Sequence, residues 1–325
     1  MRPREPVLVT GGAGFVGSHL VEALVYEGAE VVSVDDYSRG RTEHLASVLG
    51  EIEVRRLDLT RERLHGVLRD RPPELVFHAA GSAVVPASID DPREDLERNV
   101  LTTLNLLDAL RAEAPDARLV NLSTAAVYGS QSQRPSCEED ATRPASPYAV
   151  SKLAAEHYVR LAAELYGLRT ANLRLFHVFG PRLRRQVVFD LIRKLHQEPH
   201  ELRIDGDGSE EIDLNYVGNV VDAILLVARR APFQGEVFNV ASEQSVSIAE
   251  LAEGIRARVS PSASLAFAGH ERPGTPRVFR ADIERIKQLG YRPQIGLEDG
   301  LDETVAWFRR EISDDEGLAG GESRP

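Results

Sequence analysis

Short apolar runs alternate with stretches of helical periodicity through the first half of the chain, which is the pattern of a parallel sheet covered by helices. The runs predict strands at Pro6–Thr10, Glu30–Asp35, Glu51–Arg56, Leu75–His78, Arg118–Ser123 and Arg169–Leu175. Helices are predicted over Gly14–Glu27, Arg61–Arg69, Asp91–Ala114 and Tyr148–Tyr166. Six strands with right-handed crossovers give an α/β, doubly wound sheet. After Phe176 the pattern becomes irregular, and Gly235–Ala241 reads as a late strand returning to the main sheet. The expected division is a first domain at 1–176, with 216–241 returning to it, and a smaller α/β domain at 177–215 and 242–310. The acidic, glycine-rich segment at 311–325 reads as a flexible tail.

Composition narrows the partners. The 325 residues are 42% hydrophobic and 28% charged, as in an ordinary globular protein. A net charge of -12 opposes general affinity for nucleic acid or an anionic membrane, so a phosphorylated ligand must be held by local donors. The single cysteine, Cys137, excludes an internal disulfide and suits a reducing compartment. The first strand follows MRPRE at once, leaving no room for a signal peptide, and no apolar run approaches a membrane span. The expected compartment is the cytoplasm.

The loop Thr10-Gly11-Gly12-Ala13-Gly14-Phe15-Val16-Gly17 joins the first strand to the first helix. Gly11 allows a tight turn, Gly14 lets backbone approach a pyrophosphate, and Gly17 permits close helix packing. The helix start then adds N–H donors and a positive dipole end. The second strand ends in Asp35-Asp36, where a carboxylate accepts from ribose hydroxyls and repels a 2′-phosphate. NAD is therefore the expected cofactor, although Arg39 and Arg41 can pair a phosphate and keep NADP as an alternative. Asp58 is placed either to accept from the adenine amino group or to cap the next helix.

Leu122-Ser123-Thr124 ends the fifth strand, and Tyr148-Ala149-Val150-Ser151-Lys152 opens a helix. Tyrosine and lysine four apart share one helix face, and an ammonium beside a phenol lowers its pKa from about 10. Such a phenol takes a proton from a substrate hydroxyl, with Thr124 sharing that hydrogen bond. His196 and His200 have helical spacing, but Pro199 interrupts them, and no metal site is expected.

With these motifs stand Asp58-Leu59, His78-Ala79-Ala80, Asn99, STAAVYG, YAVSK, LRLFHVFGPR and Arg272-Pro273-Gly274. On them the chain resembles the extended short-chain dehydrogenases/reductases of the nucleotide-sugar epimerase/dehydratase family, from residue 7 to about residue 308. The resemblance implies a Rossmann domain holding NAD and a smaller domain closing over a nucleotide-diphosphate sugar. It implies cofactor contacts from Gly11, Gly14, Phe15, Val16, Asp35, Asp36, Ser38, Arg39, Gly40, Asp58, Leu59, Ala79, Ala80, Gly81, Asn99, Ser123, Tyr148, Lys152, Phe176 and Val178. The implied substrate contacts are Ser82, Val84, Thr124, Ala125, His177, Arg185, Val188, Ile204, Asp205 and Arg272, with Thr124, Tyr148 and Lys152 catalytic. It also implies a homodimer through a four-helix bundle, to which Ala154, Ala155, Leu161, Ala162 and Leu165 are suited, though they equally suit the core.

Family members that eliminate water carry Asp-Glu after the catalytic Ser/Thr, and decarboxylases usually keep a Glu; here stand Ala125 and Ala126. The expected reaction is C4 epimerisation through a 4-keto sugar. A 4-ketoreductase or dehydrogenase, a 4,6-dehydratase and a catalytically silent NAD-binding sensor remain as alternatives. His177 replaces the family's Asn, Asp205 its frequent aromatic, Ile212 its phosphate-binding Arg and Thr275 its Asp. These departures lead to ADP, GDP or CDP as the expected carrier, unless Asp205 faces solvent in its Gly-rich turn. Arg182, Arg184 and Arg185 are either diphosphate clamps or solvated loop charge.

Overall fold

A computed structural model describes residues 6–129, 134–269 and 278–319. Seven strands form one parallel sheet: β1 (Val7–Thr10), β2 (Val31–Asp35), β3 (Glu53–Arg56), β4 (Leu75–His78), β5 (Arg118–Thr124), β6 (Arg169–Leu175) and β7 (Gln234–Val240). Their order is β7-β6-β5-β4-β1-β2-β3. The chain thus winds outward from β1 to β3, then crosses back to β4, and the reversal opens a crevice at the carboxyl ends of β1 and β4. Five helical segments flank or support that crevice: α1 (Phe15–Tyr26), α2 (His65–Asp70), α3 (Pro92–Leu96), α4 (Thr102–Glu113) and α5 (Pro147–Tyr166). Leu106 and Leu110 of α4 join Val159 and Ala162 of α5 in one buried cluster with Leu8, Val76 and Leu119 of the sheet.

One predicted helix is interrupted. Asp91–Ala114 forms as α3, a π-helical turn at Glu97–Leu101, and α4. Asp91 caps α3 by accepting from the Glu94 N–H at 2.9 Å. The π turn disturbs the regular ladder, and threonine hydroxyls occupy two of its carbonyls. Thr102 donates to the Arg98 carbonyl at 2.6 Å, and Thr103 donates to the Asn99 carbonyl at 2.7 Å.

The chain divides into two compact units. The first takes the chain through Phe176, then Val220–Ala241 and Ala281–Arg292; the last of these stretches lies where the sequence suggested the second domain. The second takes His177–Asn219, Ser242–Arg280 and the chain from Pro293 on. Within it, Glu211–Tyr216 pairs with His177–Phe179, Ser245–Ser247 and Val278–Phe279, and Glu201–Ile204 pairs in parallel with Ser264–Phe267. Its last helix, Leu297–Ala319, runs through much of the stretch expected to be a flexible tail. Among the described residues, no helix is long and apolar enough to cross a membrane.

Candidate active site

A groove opens at the carboxyl ends of the first unit's strands. Gly11, Gly14, Asp35, Asp36, Ser38, Arg39, Gly40, Asp58, Leu59, Ala79, Ala80 and Gly81 line it, all of them read from the sequence as cofactor contacts. Val34, Leu57, Thr60, Arg98 and Thr102 line it too and were not expected. Arg98 and Thr102 stand four apart and so share one helix face, which would have linked either of them to the other.

Gly11 has φ +71°, and a Cβ there would fall 2.6 Å from the Ala80 nitrogen, so the loop can touch the end of β4 only as glycine. Asp35 holds the loop from the other side. Its carboxylate accepts from the Ala13 N–H at 3.0 Å and the Tyr37 N–H at 2.8 Å. Burial raises its pKa, while those two hydrogen bonds pull the other way. Asp36 accepts from the Ser38 N–H at 2.8 Å and pairs with Arg98 at 3.3 Å. Asp58 closes a turn, taking the Thr60 N–H at 2.9 Å and hydroxyl at 2.6 Å on Oδ1, while also lining the groove. The next helix starts at His65 with Leu64 at its N-cap, so the expected cap by Asp58 does not form.

His78, at the end of β4, is fully buried between Thr10 Oγ1 (2.7 Å to Nδ1) and Thr103 Oγ1 (3.0 Å to Nε2). Thr103 already donates its hydrogen to the Asn99 carbonyl, so Nε2 carries the ring proton and Nδ1 accepts from Thr10. Burial, with the Lys152 charge adding to it, holds the imidazole down at about 3, so it is a neutral clamp.

The catalytic helix starts where its caps dictate. Ser146 accepts from the Ala149 N–H at 3.2 Å and Pro147 occupies the first turn, so Tyr148 and Lys152 follow on one buried face. Lys152 Nζ donates to the Leu122 carbonyl at 2.6 Å, tying α5 to the end of β5. Burial pulls this ammonium down to about 8, and Glu156 and Asp95 oppose the fall. Thr124 Oγ1 accepts from the Ala126 N–H at 3.2 Å, which leaves the hydroxyl hydrogen to donate.

Behind Lys152 lies a buried network that sequence reading did not find. Arg174 grips Glu156 with Nη2–Oε1 at 2.5 Å and Nε–Oε2 at 3.1 Å. Arg174 also donates to the Tyr128 hydroxyl at 2.8 Å, which donates to Asn239 at 2.7 Å. Ser123, expected at the cofactor, gives its hydroxyl to Glu156 at 2.9 Å. Phe176 is buried, its ring 6.3 Å from that of Tyr128, and it does not line the groove. Phe15 and Val16 open α1, while Ser82 is buried and Val84 half-buried just after β4.

Ala125 is buried and Ala126 half-buried in the turn after Thr124. In the second unit, Val188 and Ile204 belong to the core, Val178 is half-buried in its strand, and Asp205 is exposed. Burial holds His177 down at about 4, which leaves it uncharged at neutral pH. Arg185 immediately precedes helix Gln186–Gln197, and Arg184 pairs with Glu311, so Arg184 is committed within its own unit. Arg272 lies outside the described residues. No cluster that could hold a metal ion occurs among the described residues.

The groove fits a dinucleotide. Asn99 Oδ1 is buried without a hydrogen-bond partner, and a Cβ on Gly14 would meet only the Gly11 carbonyl, at 3.1 Å. Backbone is thus open to a ligand where α1 begins, and an unmatched acceptor lies against Gly81 of the groove lining. A glycine-rich strand–helix turn, a carboxylate ending β2 and a Tyr-Lys pair beside β5 together define a dinucleotide-dependent enzyme acting at a hydroxyl-bearing carbon.

Comparison with known proteins supplies the family. The model of the NAD dependent epimerase/dehydratase family matches residues 7–241, and the chain belongs to that family, with NAD as its cofactor. It is 35% identical to a UDP-glucose 4-epimerase of Mycolicibacterium smegmatis over 93% of this chain and 98% of that protein. It is 30% identical to UDP-glucuronic acid decarboxylase 1 of Xenopus tropicalis over 96% of this chain and 74% of that protein. Among solved structures it resembles the UDP-glucose 4-epimerase of Thermotoga maritima with UDP-glucose, at a TM-score of 0.87 and 31% identity, covering 94% of this chain and 99% of that one.

Proposed function

We propose that the protein inverts C4 of a UDP-sugar through a transient 4-keto sugar. The observation that carries this reading is the Tyr148–Lys152 pair of α5, tied by Lys152 to the strand that ends in Thr124, and the turn of Ala125 and Ala126 that follows, which holds no acid. Elimination and decarboxylation both need the ketone to be processed further, and alanine neither gives nor takes a proton there. Glu156, behind Lys152, is committed to Arg174 and Ser123.

Gly11, Gly14, Asp35, Ala80 and Asn99 would hold NAD, which when bound supplies the two-electron acceptor and donor for C4 and is restored in each cycle. Tyr148 as phenolate takes the C4 hydroxyl proton and later returns it. Lys152 stabilises that phenolate by charge, and Thr124 donates a hydrogen bond to the same oxygen. The uridine assignment is supported by the substrates named for the relatives above. The expectation of ADP, GDP or CDP came from the departures at His177, Asp205, Ile212 and Thr275 together, and the exposure of Asp205 fits its solvent-facing alternative.

The test is product analysis by NMR after incubation with UDP-glucose, UDP-N-acetylglucosamine and UDP-glucuronic acid in deuterated water. Inverted C4 with unchanged mass and no solvent deuterium is expected for one or more of them. Loss of water or of carbon dioxide, or deuterium at C5, would replace this reading with a dehydratase or decarboxylase.

A homodimer is proposed as well, built on the outer face of α5. Val150, Tyr158 and Leu165 recur there at helical spacing with 53%, 43% and 66% of their surfaces exposed, and Leu96 of α3 is exposed too. Ala155 and Ala162, candidates for a helix interface, instead face the core. Light scattering is expected to give twice the 35.8 kDa chain mass, and Leu165→Glu with Tyr158→Glu to give the monomer. A monomeric wild-type protein would refute the proposal.

A further inference from the structure

A buried carboxylate stands one turn before Asn99 with no part in the chemistry above. Asp95, in α3, is 3% exposed. Its Oδ2 accepts from the Ser151 hydroxyl at 2.5 Å, and its Oδ1 accepts from Asn99 Nδ2 at 3.2 Å. Asn99 Nδ2 gives its second hydrogen to Ser151 Oγ at 3.0 Å. Both amide hydrogens are thereby used, and Oδ1 is left buried without a partner. That oxygen lies against the groove lining, since a Cβ on Gly81 would fall 2.5 Å from it.

An ionised carboxylate has no hydrogen to give, so it dictates the rotation of the amide beside it: nitrogen inward, oxygen outward. A neutral amide at position 95 would satisfy Asn99 turned either way. Leaving an acceptor buried and unmatched costs stability, which a ligand donor recovers on binding. Asn99 lies within the π turn at Glu97–Leu101 and meets Ser151 on α5, between Tyr148 and Lys152.

We propose that Asp95 is a positioning residue for the cofactor: through Ser151 and Asn99 it presents the Asn99 amide oxygen beside Gly81, as the acceptor for a hydroxyl or amide N–H of the bound dinucleotide. The inference concerns cofactor affinity and stands apart from the identity of the sugar.

The full-length chain is titrated with NADH, followed by fluorescence, with no sugar present, so the outcome is independent of the proposed epimerisation. Asp95→Asn is expected to raise the Kd about tenfold, the worth of one lost charge-assisted or buried hydrogen bond. In an Asn99→Ala background the same change is expected to move the Kd by less than about twofold, because the route runs through Asn99. Ser151→Ala, which removes the shared hydroxyl, is expected to weaken NADH binding severalfold and decides the matter if Asp95→Asn does not fold. An unchanged Kd in Asp95→Asn, or in Ser151→Ala in its place, overturns the proposal. So does a full tenfold effect of Asp95→Asn without Asn99, since the carboxylate would then act by another route. A lowered melting temperature with wild-type affinity assigns Asp95 to stability alone.

Discussion

Tyr148→Phe is expected to lower kcat about a thousandfold while the protein folds and holds NAD as before, since a positioned acid–base group contributes about 10²–10⁴. The substitution removes one oxygen from a buried ring at the first turn of α5, where Ser146 and Pro147 fix the backbone regardless of that oxygen. Lys152 stays hydrogen-bonded to the Leu122 carbonyl, which does not depend on the phenol. The pH profile separates this mechanism from a packing effect. In the wild type, Lys152 must be charged to stabilise phenolate, so kcat/KM is expected to fall as pH rises through about 8, where burial has brought its pKa. Residual turnover in Tyr148→Phe should lack that alkaline limb, because no phenolate remains for the charge to serve. Turnover within a few-fold of wild type would end the proton-transfer role of Tyr148.

The largest stability effect is expected at Arg174. Its guanidinium and the Glu156 carboxylate are 6% and 2% exposed and joined by two hydrogen bonds. Arg174→Met would leave a carboxylate buried beside Ser123 with its strongest partner gone, at a cost of about 3–5 kcal/mol. For a unit of this size that corresponds to a fall of about 10 °C in the melting midpoint. Adding Glu156→Leu should recover part of the loss, since replacing both charges by apolar groups is far less costly than orphaning one. The exposed Arg69–Glu113 pair is the control, and breaking it should hardly move the midpoint. Melting of Arg174→Met at the wild-type temperature would show that the pair contributes nothing net. Circular dichroism melts of the variants beside the wild type suffice.

The legibility of this chain followed the burial of its elements. Leu75–His78 forms over the residues that its apolar run marked, because a strand covered on both faces needs no polar alternation. Arg169–Leu175 forms where expected although buried Thr170, Asn172 and Arg174 alternate with Ala171, Leu173 and Leu175. The groove residues were legible because Asp35 ends a strand and Gly11 and Ala79 directly follow one, where the crevice of such a sheet opens. The π turn was not legible. Periodicity carries through it, and the partner Asn99 meets from it, Ser151 on another helix, stands far along the chain.

Asp95, Glu156 and Arg174 escaped notice because charged residues at helical or strand spacing read as a solvated face. Their burial depends on partners far away in sequence: Asp95 on Ser151, Glu156 on Arg174 and Ser123, Arg174 on Tyr128. In the second unit, strands as short as His177–Phe179 and Ser245–Ser247 give too few alternations to register. Arg184 stayed open between diphosphate clamp and solvated charge for want of Glu311, which stands far along the chain.

In the proposed homodimer the helix Pro147–Tyr166 has obligations all round its circumference. Tyr148, Ser151, Lys152 and Glu156 point one way into buried polar contacts, Ala155, Val159 and Ala162 press on the sheet, and Val150, Tyr158 and Leu165 occupy the outer side. Neutral drift in this segment is therefore confined to positions such as Arg160 and Glu164, which answer mainly to each other. Across a set of descendants of this chain, the segment should change more slowly than any other stretch of its length, and in adaptive engineering it is the last place to introduce a mutation.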